Sequence, residues 1–181
     1  MDNKLDITTD DEEMFVTKRG GKQEVVSFDK ILRRIRVLGQ EANIKINYTA
    51  LVMKVIDQLY NGISTAKIDE LTAEQCASLS STHPDYNILA GRITVSNHMK
   101  NTEASFSKVM NVLYNFKDKH DKHSPIVTKE FIDIVNENAE MLDALCDYNR
   151  DYLIEFFGFK TLERAYLMKV NRKIVERPQH M

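Results

Sequence analysis

Apolar positions along the chain recur first at strand spacing, then at helical spacing, and finally at strand spacing again. Two short β-prone runs, Phe15 to Thr17 and Glu24 to Val26, flank Gly20-Gly21, a pair able to supply the positive φ angles of a tight hairpin turn. Ser27 or Asp29 then caps a helix to about Gln40, with Phe28, Ile31, Leu32, Ile35 and Leu38 on one face. After a loop at Asn43 to Asn47, a second helix runs from Tyr48 to Tyr60, its inner face built from Leu51, Val52, Val55, Ile56 and Leu59. Asn61-Gly62 ends it. Ser64 or Thr65 starts a third helix with Ile68, Leu71, Cys76 and Leu79 as its stripe, and His83-Pro84-Asp85 starts a long fourth one, to Met99 or onward to Phe116.

Beyond a charged loop closed by Pro125, Thr128 to Leu145 reads as two short helices broken near Asn136 to Asn138. Lys160 to Arg164 is a helical segment, and Tyr166 to Val170 with Lys173 to Val175 form a hairpin around Asn171-Arg172. Residues Glu176 to Met181 look like no closing element and follow a strand that needs a partner. The predicted fold class is mainly α.

Composition narrows this picture. With 181 residues and 43% hydrophobic content, the chain can build one substantial core, or one small and one partial domain. A net charge of −2 argues against a general nucleic-acid coat. Charge is nonetheless concentrated: Lys18, Arg19, Lys22, Lys30, Arg33, Arg34 and Arg36 crowd the hairpin and first helix, against only Glu24 and Asp29. Residues 1–13, with Asp10 to Glu13 acidic in a row, are expected to be a disordered leader and lack the basic-then-apolar order of a secretory signal. No apolar run approaches the roughly 18 residues that would span a bilayer. Cys76 and Cys146, far apart in helical contexts, are expected to be buried reduced thiols of a cytosolic or nuclear protein, and the expected location is cytoplasmic, with no membrane partner. No Cys/His set has zinc spacing, and His120 and His123 lack a third ligand nearby, so no metal ligand is assigned. Paired carboxylates have no apolar surroundings to shift them, and no catalytic residue is assigned.

The basic cluster carries the candidate chemistry. A triphosphate needs several charge-assisted donors converging from different segments. Lys18 and Arg19 on the hairpin, Lys30 and Arg34 on the first helix and Lys100 late on the fourth would converge if the helices bundle beneath the hairpin. Thr65, at a helix start with free N–H groups, suits an anionic oxygen. Asp69 lies one turn further on the same side, and Glu24 can accept from an exocyclic amine of a base. The same residues also fit a solvated basic face with a capping hydroxyl. A further reading makes Lys30 to Arg36 a nucleic-acid contact helix, but no helix-turn-helix pattern or stacking aromatics accompany it, and no nucleic-acid partner is expected. The Phe156-Phe157-Gly158-Phe159 cluster reads as core.

Two separated stretches bring in a resemblance. Phe15 to Lys30, V-T-K-R-x-G-x-x-E-x-V-x-F-D-K, resembles the opening of the ATP-cone domain. Asp151 to Met181, with F-G-F-K-T-L-E-R-A-Y-L and E-R-P-Q-H-M, resembles the segment after that domain in the large subunit of eukaryotic and viral class I ribonucleotide reductase. Between them, L-Y-N-G-I-S-T-x-x-I-D, H-P-D-Y-x-I-L-A-x-R-I-x-V-S-N and K-H-S-P are similar to that family in the same order.

This resemblance implies a regulatory site that binds ATP, which activates, or dATP, which inhibits by driving oligomers, with Mg²⁺ and with no redox cofactor in this chain. Carried over, Lys18, Arg19, Thr65 and Lys100 match phosphate-binding positions. Glu24 and Ser27 match the adenine positions, in a segment that includes Val25, Val26, Phe28 and Asp29 and that Lys30 closes. Asp69 sits where the sugar is read. Two positions depart: the turn is Gly20-Gly21 where the family has Asp or Asn before glycine, and Phe15 stands where eukaryotic members carry histidine.

The implied architecture is a hairpin-lidded four-helix cone over 14–105, then a helical pre-barrel segment over 106–181 with a terminal hairpin. The family's catalytic α/β barrel and its radical and redox cysteines are absent, so the chain alone is not expected to reduce ribonucleotides; it is expected to be a fragment, a truncated gene model or one piece of a split subunit. The implied partners are the remainder of the large subunit, other large subunits through the cone, and indirectly the small radical-generating subunit. A free-standing ATP-cone regulator of transcription is the alternative, although its zinc ribbon does not precede Phe15. The C-terminal third is expected to expose apolar surface that the barrel would cover.

Overall fold

The computed structural model describes residues 13–181, so the expectation of a disordered leader falls almost wholly outside the described residues. Strand β1 (Phe15–Thr17) pairs antiparallel with β2 (Gln23–Val25), one residue earlier than the pattern predicted. The turn differs from the expected one. The Gly21 N–H donates to Lys18 O and the Lys18 N–H to Lys22 O, and only Gly21 of the glycine pair has positive φ, at 81°. That is a three-residue loop closed by a left-handed glycine, not a two-glycine turn.

Helix α1 (Phe28–Gln40) starts where the Ser27 side chain accepts from the Lys30 N–H, and it buries Ile35 and Leu38. Asn47 caps α2 (Tyr48–Ile56) in the same manner. This helix ends four residues before the predicted Tyr60. The chain must turn early because Ile63–Ser64 forms a third strand, β3, parallel to β1 and unforeseen from the sequence. Asn61 Oδ1 accepts from the Phe15 N–H, and the Gly62 N–H donates to Phe15 O, fixing that register. The sheet order is β2-β1-β3.

Ser64 caps α3 (Thr65–Ser78), and α4 (Asp85–Asn101) follows Pro84. The longer extent considered for α4 is not realised: Thr102 is extended, and Ser105 caps a separate α5 (Phe106–Tyr114). The four helices share a core of Ile35, Leu38, Leu51, Val52, Cys76, Leu89 and Ile93, while Val16, Val55, Ile63 and Ile68 seal the sheet to them. Burying such side chains is the main stabilising term, about 1.5–3 kcal/mol each.

The remaining elements are α6 (Lys129–Glu137), α7 (Ala139–Leu145), a 3-10 turn at Tyr148–Leu153, α8 (Phe156–Ala165) and a hairpin of β4 (Lys169–Val170) with β5 (Lys173–Ile174). Helix α8 begins four residues before the predicted Lys160, taking in the aromatic cluster: Phe156 enters the four-helix core and Phe159 is fully buried. Gly91 of α4 permits this approach, since a Cβ there would sit 3.0 Å from Ile154 O. A second core of Val109, Met110, Leu113, Ile132 and Val135 holds α5, α6 and α7 together.

Glu176 to Met181 is the clearest correction. The segment closes with a 3-10 turn at Pro178–His180 and packs on the end of α4. Arg177 is buried, and its guanidinium donates to Met99 O at 2.9 Å and Thr102 O at 3.0 Å, terminal carbonyls that the helix leaves open. His98 Nε2 lies 2.8 Å from Glu176 O. No barrel forms among the described residues.

Candidate functional site under the first hairpin

A cavity of about 420 Å³ opens between the β1-β2 hairpin, α1, α3 and the end of α4. Its floor is apolar, with Val16, Ile31, Ile35 and Ile68, and its walls are charged. The charges come from different elements because three helices point one face each beneath the hairpin. Lys18, Arg19, Lys30, Arg34 and Lys100 line it against two carboxylates, Glu24 and Asp69.

Each carboxylate organises two of the cations. Glu24 Oε2 sits 2.9 Å from Lys30 Nζ and 3.2 Å from Lys18 Nζ, tying β2 to α1 and to the turn. Hydrogen bonds from Lys30 and then Lys18 hold its carboxyl below the usual glutamate value. Asp69, 7% exposed, receives Arg19 Nη2 at 3.2 Å and Arg34 Nη2 at 3.3 Å on one oxygen, with Arg34 Nε 3.4 Å from the other. Arg34 also donates to Ser96 Oγ at 2.9 Å, and Arg19 to Asn101 Oδ1 at 2.8 Å and to Asn97 Oδ1. Both guanidiniums are thereby fixed in place with Nε and Nη2 engaged, and Nη1 of each carries the donors that the described residues leave for an anion.

The Lys100 ammonium makes no hydrogen bond or ion pair with another described residue. Partial burial, then Arg34 and Arg19, push its ammonium below the usual lysine value, while Asp69 opposes them. Thr65 stands at the first position of α3, where Ser64 Oγ takes the Lys67 N–H and the helix dipole favours an anion. The chamber therefore combines a surplus of positive charge, a helix N-terminus and an apolar floor, which suits a ligand with a planar apolar part and an anionic tail.

Of the residues singled out from the sequence, Lys18, Arg19, Glu24, Val25, Ser27, Lys30, Arg34, Thr65, Asp69 and Lys100 all line this one cavity. Three do not. Val26 packs with Val16 and Ile63, Phe28 against the four-helix core, and Asp29 lies on the outer face of α1 beside Arg33 and Arg36. Sequence reasoning missed Val16, Ile31, Ile35, Ile68 and Thr72 as walls. The apolar ones look like any core residue, and the Thr72 hydroxyl is spent on Ile68 O at 2.7 Å. Among the described residues no group of three or more His, Cys, Asp or Glu could hold a metal ion, and no helix is long and apolar enough to cross a membrane.

Comparison with known proteins places this geometry in context. The ATP cone domain model matches residues 14–101. The chain is 50% identical over 170 residues to the ribonucleoside-diphosphate reductase large subunit of Variola virus, which covers 93% of this chain and 22% of that protein. It is 49% identical over 170 residues to the Danio rerio large subunit and 42% over 168 to that of Plasmodium falciparum, each match covering 93% of this chain and 21% of the relative. The chain thus spans about a fifth of the length of these relatives.

Proposed function

We propose, from the match of residues 14–101 to the ATP cone domain, that the chain is the nucleotide-sensing activity control of a ribonucleoside-diphosphate reductase large subunit. ATP or dATP, accompanied by Mg²⁺, occupies the cavity under the hairpin. The observation that carries this reading is the cavity itself: five cations from three segments against two carboxylates, beside the start of α3 and over an apolar floor. The base rests on Val16, Ile31 and Ile35 with Glu24 and Ser27 at its edge. The phosphates take Lys18, Arg19, Thr65 and Lys100, and Asp69 faces the ribose.

ATP activates and dATP inhibits by changing how large subunits associate. Such control requires that the two nucleotides differ in affinity for two assembly states, since equal binding shifts nothing. The partners are then the remainder of the large subunit, other large subunits through the cone, and indirectly the small radical-generating subunit. Similarity to reductases beyond residue 101 favours this over a free-standing regulator of transcription.

Calorimetric titration of the chain with MgATP and MgdATP tests the reading. Saturable binding is expected, weakened about tenfold or more in Lys18→Ala, because a charge-assisted hydrogen bond contributes about 1.5–3 kcal/mol. Asp69→Asn is expected to narrow the ratio of ATP to dATP affinity. A folded chain that binds neither nucleotide would contradict the proposal.

A further inference from the structure

We propose that Lys100 is a modification site, acylated without an enzyme by small acyl phosphates that Arg19 and Arg34 draw into the cavity. The inference rests on the cavity being an anion site, as in the preceding reading, but it concerns a covalent reaction of one side chain. Arg19, Arg34 and Lys18 are each tied to a carboxylate. Lys100, on the last turn of α4, is exposed at the cavity mouth and makes no ion pair among the described residues. An anion entering the cavity therefore meets two fixed guanidiniums with an uncommitted amine beside them.

The charged groups facing that amine come from every element packed around it: Arg19 from the turn, Arg34 from α1 and Asp69 from α3. Asp69 already accepts from both arginines, so its pull on Lys100 is shared. Partial burial, then the two guanidiniums, disfavour the ammonium, which increases the fraction of neutral amine. By contrast, Lys67 and Lys129 are held above the usual lysine value by Glu70 and Asp133.

The step balances without a cofactor. The Nζ lone pair attacks the carbonyl carbon of the acyl phosphate, and the carbon–oxygen bond to phosphate breaks. Phosphate leaves with that electron pair, the surplus proton passes to solvent, and a neutral amide remains. One cation is removed from the cavity, so acylation weakens later binding of an anionic ligand.

The experiment is incubation of the full chain with acetyl phosphate, followed by peptide mass spectrometry over time. Lys100 is expected to gain acetyl about tenfold faster than Lys54 and Lys119, exposed lysines outside the cavity, because a focused positive field concentrates anions by at least that factor. Arg19→Gln, checked for folding by thermal melting, should reduce the advantage. The neutral N-hydroxysuccinimide ester of acetate should show a smaller preference than acetyl phosphate. Equal rates at Lys100, Lys54 and Lys119 with acetyl phosphate, or an unchanged preference with the neutral ester, would overturn the inference. Calorimetry on unreacted protein keeps the two readings apart: ATP binding with equal labelling sinks acylation alone, and preferential labelling without ATP binding sinks the nucleotide reading alone.

Discussion

His180 illustrates how single residues here are set by their partners. Its Nδ1 accepts the Arg177 N–H at 3.1 Å, so the ring is neutral with its proton on Nε2, which donates to the Tyr148 hydroxyl at 2.8 Å; that hydroxyl in turn donates to Ala104 O. Burial, then Arg177, pushes the imidazole from 6.5 down to about 4. Between those values the unfolded chain binds a proton that the folded chain does not, so this residue's contribution is present above about 6.5 and is lost as pH falls toward about 4. Asp151 and Glu176, pushed up by burial, act in the opposite sense. The variant difference therefore isolates the histidine: urea midpoints at pH 7 and pH 5 should diverge less in His180→Gln than in the parent chain. At this scale the charged half of the candidate site was legible, because clustered cations on one short stretch are unusual. The pairing of Asp69 with Arg19 and Arg34 was not, since it joins positions 50 and 35 residues apart.

Helix α4 is the element that both halves of the chain use. Asn97 and Asn101 hold Arg19 on the cavity side, while Met99 O and Thr102 O take the Arg177 guanidinium on the other. Arg177→Ala removes a buried charge-assisted donor from those carbonyls and should lower unfolding stability by roughly 3 kcal/mol, measured by urea denaturation. A loss within about 0.5 kcal/mol, the range of ordinary surface substitutions, would mean that the terminal segment contributes little to holding α4. Helices with a polar cap and an apolar stripe, such as α1 and α3, were readable because periodicity and capping agree. Strand β3 was not: two residues, Ile63 and Ser64, carry no periodicity, and only pairing with β1 makes them a strand. The terminal turn was unreadable for a similar reason, since its partners lie on α4, about 78 residues earlier.

Across the whole molecule, apolar exposure is concentrated toward the C-terminal third, where Leu145, Leu153, Phe157, Tyr166 and Met181 are each more than 60% exposed. Exposed apolar side chains favour association where they form a contiguous patch. Sedimentation of the purified chain should show concentration-dependent self-association that Leu153→Ser with Phe157→Ser reduces; a monomer at all concentrations would count against a sticky C-terminal face. The central claim, that the cavity under the hairpin holds ATP, is tested most directly by photolabelling with 8-azido-ATP and mapping the labelled peptides. Label within residues 15–35 or 65–72, removed by excess ATP, is the predicted result. Label elsewhere, or label that ATP does not remove, would contradict it.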